Sequence, residues 1–180
     1  MHSTILLSGG IDSAACVLGL HDARSRSAIF VDYGQAAARQ EKEAATKIAG
    51  FFGIPLTTCE ARGQVHLGTG ELVGRNAFLI ATALLLGACK PGTLVIGIHA
   101  GTVYYDCSPA FYELASRLLA EQTNGSIQLV APLLEWHKRE IVEKLKQSNF
   151  PFDLTYSCEA GGVVICGKCL SCLDRLALNI

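Results

Sequence analysis

Charge is scarce in this chain. Only 17% of its 180 residues are Asp, Glu, Lys or Arg, and the formal net charge is -1. A balance so near zero gives no electrostatic drive toward nucleic acid or an anionic membrane surface. Few charges together with 50% hydrophobic residues exclude a disordered chain. They call for a thickly covered core or a buried partner surface. Long apolar runs are also missing: the candidate at 77–88 is a dozen residues long and reads as a buried helix, too short for a span. Met1-His2-Ser3-Thr4 carries no basic segment, so no secretory signal is expected and the chain reads as cytoplasmic. Internal repeats and low-complexity linkers are absent, and the length suits one ordinary domain with a real core.

Two common nucleotide signatures are missing as well. No G-x-x-x-x-G-K-[ST] and no G-x-G-x-x-G occurs, which leaves the ATPase P-loop and the dinucleotide fingerprint unsupported. What does occur is "ILLSGGIDSA" at 5–14, a short apolar run that breaks into two glycines and resumes as small, apolar, helix-compatible residues. A strand-to-helix turn at this place lines up the free N–H groups of a first helical turn. Gly9 and Gly10 are then expected to let a polyanion approach where a Cβ would intrude. The plainer reading is a tight turn capped by Ser8, Asp12 or Ser13. Ser8-Gly9-Gly10-Ile11-Asp12-Ser13 resembles the S-G-G-x-D-S pyrophosphate loop of the PP-loop family, the N-type ATP pyrophosphatases.

Eight cysteines in a chain read as cytoplasmic need an explanation other than disulfides. Four fall together in "CEAGGVVICGKCLSC", as Cys158, Cys166, Cys169 and Cys172. Gly161-Gly162 and Gly167 supply turns that let four thiolates converge on one tetrahedral ion. Four ligands with no open position make a structural zinc site; an iron–sulfur cluster also takes four thiolates. Cys16, Cys59, Cys89 and Cys107 are separate and are read as small buried hydrophobes.

Between these ends, apolar strand-like stretches at 2–7, 28–33, 53–57, 93–98 and 127–133 alternate with helical stretches at 36–52, 77–88, 111–121 and 137–147. Such alternation predicts an α/β fold, a parallel sheet wrapped by helices with ligands beyond the carboxyl ends of the strands. The expected division is a nucleotide domain at 1–156 and a small cysteine subdomain at 157–180.

Six motifs in order carry a closer resemblance: the S-G-G-I-D-S loop, Asp32-Tyr33-Gly34-Gln35, Gly74-Arg75-Asn76, Asp106-Cys107, Pro132-Leu133 with Lys138, and Cys166-Gly167-Lys168-Cys169-Leu170-Ser171-Cys172 with Arg175. Over essentially its whole length the chain resembles the 7-cyano-7-deazaguanine synthase (QueC) family. The resemblance implies a Rossmann-like sheet of the adenine nucleotide alpha hydrolase kind with structural Zn²⁺, and ATP with Mg²⁺ held by Ser8, Gly9, Gly10, Ile11, Asp12, Ser13, Val31, Tyr33 and Gln35. It implies adenylation of a deazapurine carboxylate, displacement of AMP by ammonia to an amide, and a second activation to the nitrile. Asp12, Ser13 and Lys138 are the expected catalytic residues, and Arg75, Asn76, Tyr105 and Asp106 the expected substrate contacts. A homodimer is expected, with a hetero-complex as the other option; direct nucleic-acid binding is not.

The residues themselves leave plainer roles open. Asp12 either holds Mg²⁺ or caps the loop; Lys138 sits in a charged run that also suits a solvated helix face. Arg75 and Asn76 open a helix and could cap it, Tyr104 and Tyr105 could pack instead of stacking on a purine, and His66 and His99 could be acid–base groups or ordinary histidines. Relative to the family the chain is short before Val73, and "GIHAGTVYYDC" is short and has Tyr105 where the family has proline. The nucleotide half is intact and the acceptor half trimmed. A different acceptor, such as a protein terminus, therefore stands beside the deazapurine reading. A tRNA-modifying PP-loop enzyme and a nucleotide-binding subunit of a larger assembly are the alternatives from other classes.

Overall fold

Five parallel strands form the sheet: β1 (His2–Leu6), β2 (Ser25–Asp32), β3 (Leu56–Glu60), β4 (Gly92–Val95) and β5 (Ile127–Val130), in the spatial order β3-β2-β1-β4-β5. The computed structural model describes residues 1–20, 25–61, 63, 71–86 and 89–180. Helices α1 (Ile11–Gly19), α2 (Ala38–Phe52), α3 (Arg75–Leu85), α4 (Pro109–Gln122), α5 (Lys138–Gln147) and α6 (Leu170–Ala177) follow in chain order. The chain winds outward from β1 to β2 and β3, then returns across the sheet to β4 and β5. This reversal opens a crevice at the carboxyl ends of β1 and β4, where open parallel sheets bind ligands.

Alternation along the strands sorts the core into two layers. Ile5, Leu7, Ala28 and Phe30 face one side and pack with Ala14, Val17, Ile48, Ile141 and Leu145 from α1, α2 and α5. Leu6, Ile29, Val31 and Leu94 face the other and pack with Ile80, Ala83, Phe111, Ala115 and Leu119 from α3 and α4. Where both faces are covered the strands read as apolar runs, as in Ala28–Val31 and Leu94–Val95, whereas the edge strands β3 and β5 keep exposed polar residues such as Thr57, Glu60 and Gln128. Gly92 (φ +140°) is required by the β1–β4 contact, since a Cβ there would collide with the His2 carbonyl oxygen.

The helix ends explain where the sequence expectations shift. Gly53, in the left-handed conformation (φ +64°), caps α2 with its N–H on Gly50 O. The extended segment expected at 53–57 therefore starts pairing only at Leu56. Ser108 caps α4 by accepting from Phe111 N at 3.2 Å, with Pro109 in the first turn. α5 opens on a capping box, in which the His137 N–H donates to Glu140 Oε2 at 2.7 Å. α6, which the sequence reading does not foresee, starts at Cys169 as N-cap. Residues 87–88 at the end of the expected helix 77–88 lie outside the described residues, as does His66. Among the described residues no helix is long and apolar enough to cross a membrane.

α5 is seated by Ile141 and Leu145, both fully buried. Ile141→Ala should cost about 2–5 kcal/mol in urea denaturation, and Ile141→Val about 1 kcal/mol. A loss under about 1 kcal/mol for the alanine would mean that α5 does not rest on this core.

Candidate active site

The turn after β1 is built by close packing. Leu7 N–H still pairs with Ile29 O, and Gly10 is the N-cap of α1 (φ −83°, ψ 169°). Gly9 has φ +85°, and a Cβ on it would lie 2.5 Å from the Glu41 carbonyl oxygen and 2.9 Å from Ala44 Cβ. The missing side chain of Gly9 thus admits helix α2, whereas the expectation assigned it to an approaching anion. Gly10 has room, its Cβ meeting nothing closer than Ser8 Oγ at 3.5 Å. Gly97, just beyond β4, lies against the first turn of α1, where a Cβ would meet Asp12 C at 3.2 Å. Ser13 Oγ donates to Gly10 O at 2.9 Å, and Ser8 Oγ lies 3.3 Å from Ser13 Oγ.

Asp12 does not cap α1. Both its carboxylate oxygens accept from Lys138 Nζ, at 2.6 and 2.7 Å. Lys138, the first residue of α5, is thereby fixed beside the loop and is no ordinary solvated side chain. Each partner is about a quarter exposed, so the pair contributes modestly to stability and mainly sets position. His99, four residues past β4, joins them: its Nδ1 donates to Ala100 O at 2.6 Å, which leaves Nε2 facing Asp12 Oδ2 at 3.7 Å. Sequence weighed His99 only as one lone histidine among others. Its place beside β1 depends on strand order, which no local pattern spells out.

Asp32-Tyr33-Gly34-Gln35 is a self-bonded turn. Gly34 N donates to Asp32 Oδ1 at 3.0 Å, Tyr33 N to Gln35 Oε1 at 2.9 Å, and Gln35 Nε2 to Glu41 Oε2 at 2.8 Å and Val31 O at 3.3 Å. Gln35 is a strut for this wall. Burial raises the Glu41 pKa, and the Gln35 hydrogen bond and Arg75 partly offset it. Burial also raises the Tyr33 hydroxyl, beside the Arg75 guanidinium.

α3 is capped from a distance. Its N-cap is Gly74, which has no side chain to offer, and the Asn76 N–H donates instead to Asp106 Oδ2 at 3.2 Å while Asn76 Nδ2 donates to Asp106 O at 2.8 Å. Both residues are buried. The Cys107 thiol beside them is pushed up to about 11, chiefly by burial.

One cavity of about 870 Å³ gathers these parts. Of the residues expected from sequence, Ser8, Gly10, Ile11, Asp12, Ser13, Val31, Tyr33, Gln35, Arg75, Asn76 and Lys138 line it. Gly9, Asp106 and Tyr105 are not part of its lining; Gly9 packs on α2, Asp106 acts through Asn76, and Tyr105 is exposed with its ring against Phe111. Sequence reasoning did not place His99, Arg139 or Tyr156 here, nor recognise Arg175 as part of the opposite wall.

The four cysteines converge. Their sulfurs lie within 4.8 Å of one another, with Cys166 and Cys172 at 3.9 Å. Backbone N–H groups of Lys168 and Cys169 pull the Cys166 thiol down to about 6. Burial opposes ionisation of Cys158, yet the N–H groups of Cys166 and Ala160 bring it down. Burial and the neighbouring thiols push Cys172 up to about 12. Such a set fits a thiophilic metal, which replaces the last protons.

A family model for the queuosine biosynthesis protein QueC matches residues 2–73 and 69–178. The chain belongs to the QueC family. It is 32% identical to the 7-cyano-7-deazaguanine synthase of Methanothermobacter thermautotrophicus over 205 residues, covering 97% of this chain and 92% of that protein. With the 7-cyano-7-deazaguanine synthase of Koribacter versatilis it shares 34% identity over 208 residues, 97% of this chain and 86% of that one. Both alignments exceed the 180 residues of this QueC-family chain, so these relatives carry residues inside the matched region that it lacks. The two matched segments of the model meet at 69–73. Among solved structures, the U34-tRNA thiolase of Methanococcus maripaludis with its [4Fe-4S] cluster has a TM-score of 0.56 at 16% identity, covering 99% of this chain and 64% of that one. That likeness is one of fold and agrees with the expected parallel sheet wrapped by helices.

Removing the acceptor for Asn76 N–H should loosen the start of α3. Asp106→Leu is expected to cost about 1–3 kcal/mol in chemical denaturation, and Asp106→Asn, which keeps an oxygen there, markedly less. Equal losses in the two variants would show that the carboxylate does not cap the helix.

Proposed function

We propose that the chain is an ATP-dependent carbon–nitrogen ligase that converts 7-carboxy-7-deazaguanine to 7-cyano-7-deazaguanine. The observation that carries this reading is the meeting of the Ser8–Ser13 loop, Lys138 and Arg75 in one cavity of a QueC-family fold. The substrate carboxylate attacks the α-phosphate of ATP and pyrophosphate leaves. Ammonia then adds to the acyl adenylate, AMP departs with the bonding electrons and a proton is released, giving the amide. A second ATP activates the amide oxygen, and loss of AMP and protons leaves the nitrile.

The chain's own groups divide this work. Gly10 and the first turn of α1 offer N–H donors to the leaving pyrophosphate, with the Ser8 and Ser13 hydroxyls beside them. Lys138 neutralises charge developing on the phosphates. Asp12 is the residue that would hold Mg²⁺, which shields the phosphates when bound. Val31 and Tyr33, braced by Gln35, form the wall for the nucleoside. Arg75 presents a planar donor fork suited to a carboxylate, and Asn76, locked by Asp106, sets where that fork begins. A second copy of the chain is the expected partner, covering the exposed rim that includes Val73, Phe78, Val103 and Tyr105.

One observation favours a second reading, a QueC-like enzyme with a different acceptor such as a protein terminus: the matched relatives carry residues that this chain lacks. The assay that separates the two supplies 7-carboxy-7-deazaguanine, ammonia and MgATP and follows AMP and nitrile. Ser8→Ala and Asp12→Ala should each abolish AMP release while melting within a few degrees of the unaltered chain. Normal turnover in either variant would remove the phosphate-cradle reading, and AMP release without nitrile would favour the other acceptor.

Zinc is the metal proposed for the four cysteines. Tetrahedral zinc with bonds of about 2.3 Å spaces its sulfurs about 3.8 Å apart, close to the 3.9 Å between Cys166 and Cys172 and inside the 4.8 Å that bounds all four, whereas a four-iron cubane with one thiolate per iron holds its thiolates farther apart. Elemental analysis should give one zinc per chain, and Cys169→Ser should lose the metal and melt lower. Stoichiometric iron would overturn the assignment.

A further inference from the structure

The Gly9–Gly10 peptide is a link of the phosphate loop with glycine on both sides. A trans peptide points its C=O and N–H in opposite directions, so when one faces the cavity the other faces the protein. Turning this plane over changes only ψ of Gly9 and φ of Gly10, and glycine tolerates both changes. The observed orientation is held by Tyr156, whose N–H donates to Gly9 O at 3.0 Å. Gly10 N–H accordingly points the other way, toward the Ser8 hydroxyl at 3.4 Å, on the cavity side. Turned over, the same plane would aim a carbonyl oxygen at an incoming phosphate and replace attraction by repulsion.

Tyr156 stands two residues before Cys158, in a segment pinned at several points. A Cβ on Gly161 (φ +70°) would collide with the Ala36 carbonyl oxygen, so this segment lies directly on the turn after β2. The Tyr156 hydroxyl donates to Gly162 O at 2.8 Å, and Arg175 Nη1, from α6, donates to Thr155 Oγ1 at 2.7 Å and Ser157 Oγ at 3.4 Å. Cys158 and Cys172 bracket these contacts. A metal on the four thiolates therefore ties α6 and the Thr155–Ser157 stretch into one body.

We infer that the four-cysteine segment positions the phosphate loop, with Tyr156 as the positioning residue: metal-bound cysteines hold Tyr156 against Gly9, and its N–H keeps Gly10 N–H aimed into the phosphate site. This rests on the phosphate reading of the loop and on no particular acceptor.

Inorganic pyrophosphate supplied with Mg²⁺, and MgATP, are the probes, titrated calorimetrically against the full chain, with cysteine-bound metal content and melting temperature recorded for each protein. Tyr156→Pro deletes the N–H, and Thr155 before it already has the extended conformation (φ −96°, ψ 151°) that a following proline requires. The variant should keep its metal and bind pyrophosphate about tenfold more weakly; Tyr156→Phe, which retains the N–H and gives up only the hydroxyl's bond to Gly162 O, should lose less than about twofold. Chelator-stripped protein should show the same loss as Tyr156→Pro. Gly10→Ala is the diagnostic background, because its φ of −83° suits alanine whereas the turned plane needs a positive φ. There, Tyr156→Pro or metal removal should shift the Kd by less than about twofold. Unchanged affinity in metal-loaded Tyr156→Pro, a loss in Tyr156→Phe as large as in Tyr156→Pro, or a full loss persisting with Gly10→Ala overturns the inference. If Tyr156→Pro does not fold, the loaded and stripped forms of the unaltered and Gly10→Ala chains decide it by the same criterion. An unaltered, loaded chain that binds neither probe overturns the phosphate reading as well.

Discussion

Parallel pairing of β1 with both β2 and β4 is the constraint on which the rest of the molecule depends. It places the chain's first turn beside the exit of β4, although Gly9 and Gly97 are far apart in sequence. It also leaves no space between backbones at this junction. Gly97 admits the first turn of α1 and Gly9 admits α2, while Gly92 admits the His2 carbonyl at the amino ends of the same two strands. Side chains at these positions would push apart the elements that form the crevice. Fold and candidate site therefore share the same residues, and the Ser8–Ser13 turn cannot be treated as a decoration on a finished scaffold.

The polar residues around that junction fall into two groups. Gln35, Asp106 and Asn76 are occupied with the protein's own backbone, and their work is to fix Tyr33 and the start of α3. Lys138, Arg75, His99 and Ser8 present themselves to the cavity. For Asn76 and Asp106 the distinction follows from burial: a polar group removed from water must be satisfied internally, so these two are the least free to touch a ligand; Gln35, half-buried, is held by its bonds to Tyr33, Val31 and Glu41.

Much of this was legible in the sequence. The alternation of apolar stretches with helices gave the layers, because a strand stretch covered on both faces, such as Ala28–Val31, is apolar. S-G-G-I-D-S marked the turn, and the cysteine spacing marked a cluster that does converge. What escaped was whatever depends on contacts between distant elements. Gly9 looked like an opening for a ligand, yet it faces α2. Asp12 reads locally as a cap or a Mg²⁺ holder, and no local pattern announces its partner Lys138, 126 positions away. His99 gained its meaning only from β4 lying beside β1. α6 escaped for a local reason: its eight residues begin inside the cysteine motif, where the spacing reads as a turn.

Lys138 adds little net field to the cavity while Asp12 holds it, since at 2.6 Å the two charges cancel beyond a short distance. A bare anion drawn toward the loop would have to pull the ammonium from its carboxylate and leave that carboxylate uncompensated. A polyanion that arrives with its own cation can exchange partners on both sides at once, ammonium to phosphate and carboxylate to cation. On the proposed ATP reading the pair would act as an ion exchanger beside the loop, giving a cation-bound polyphosphate an advantage over the same anion arriving bare.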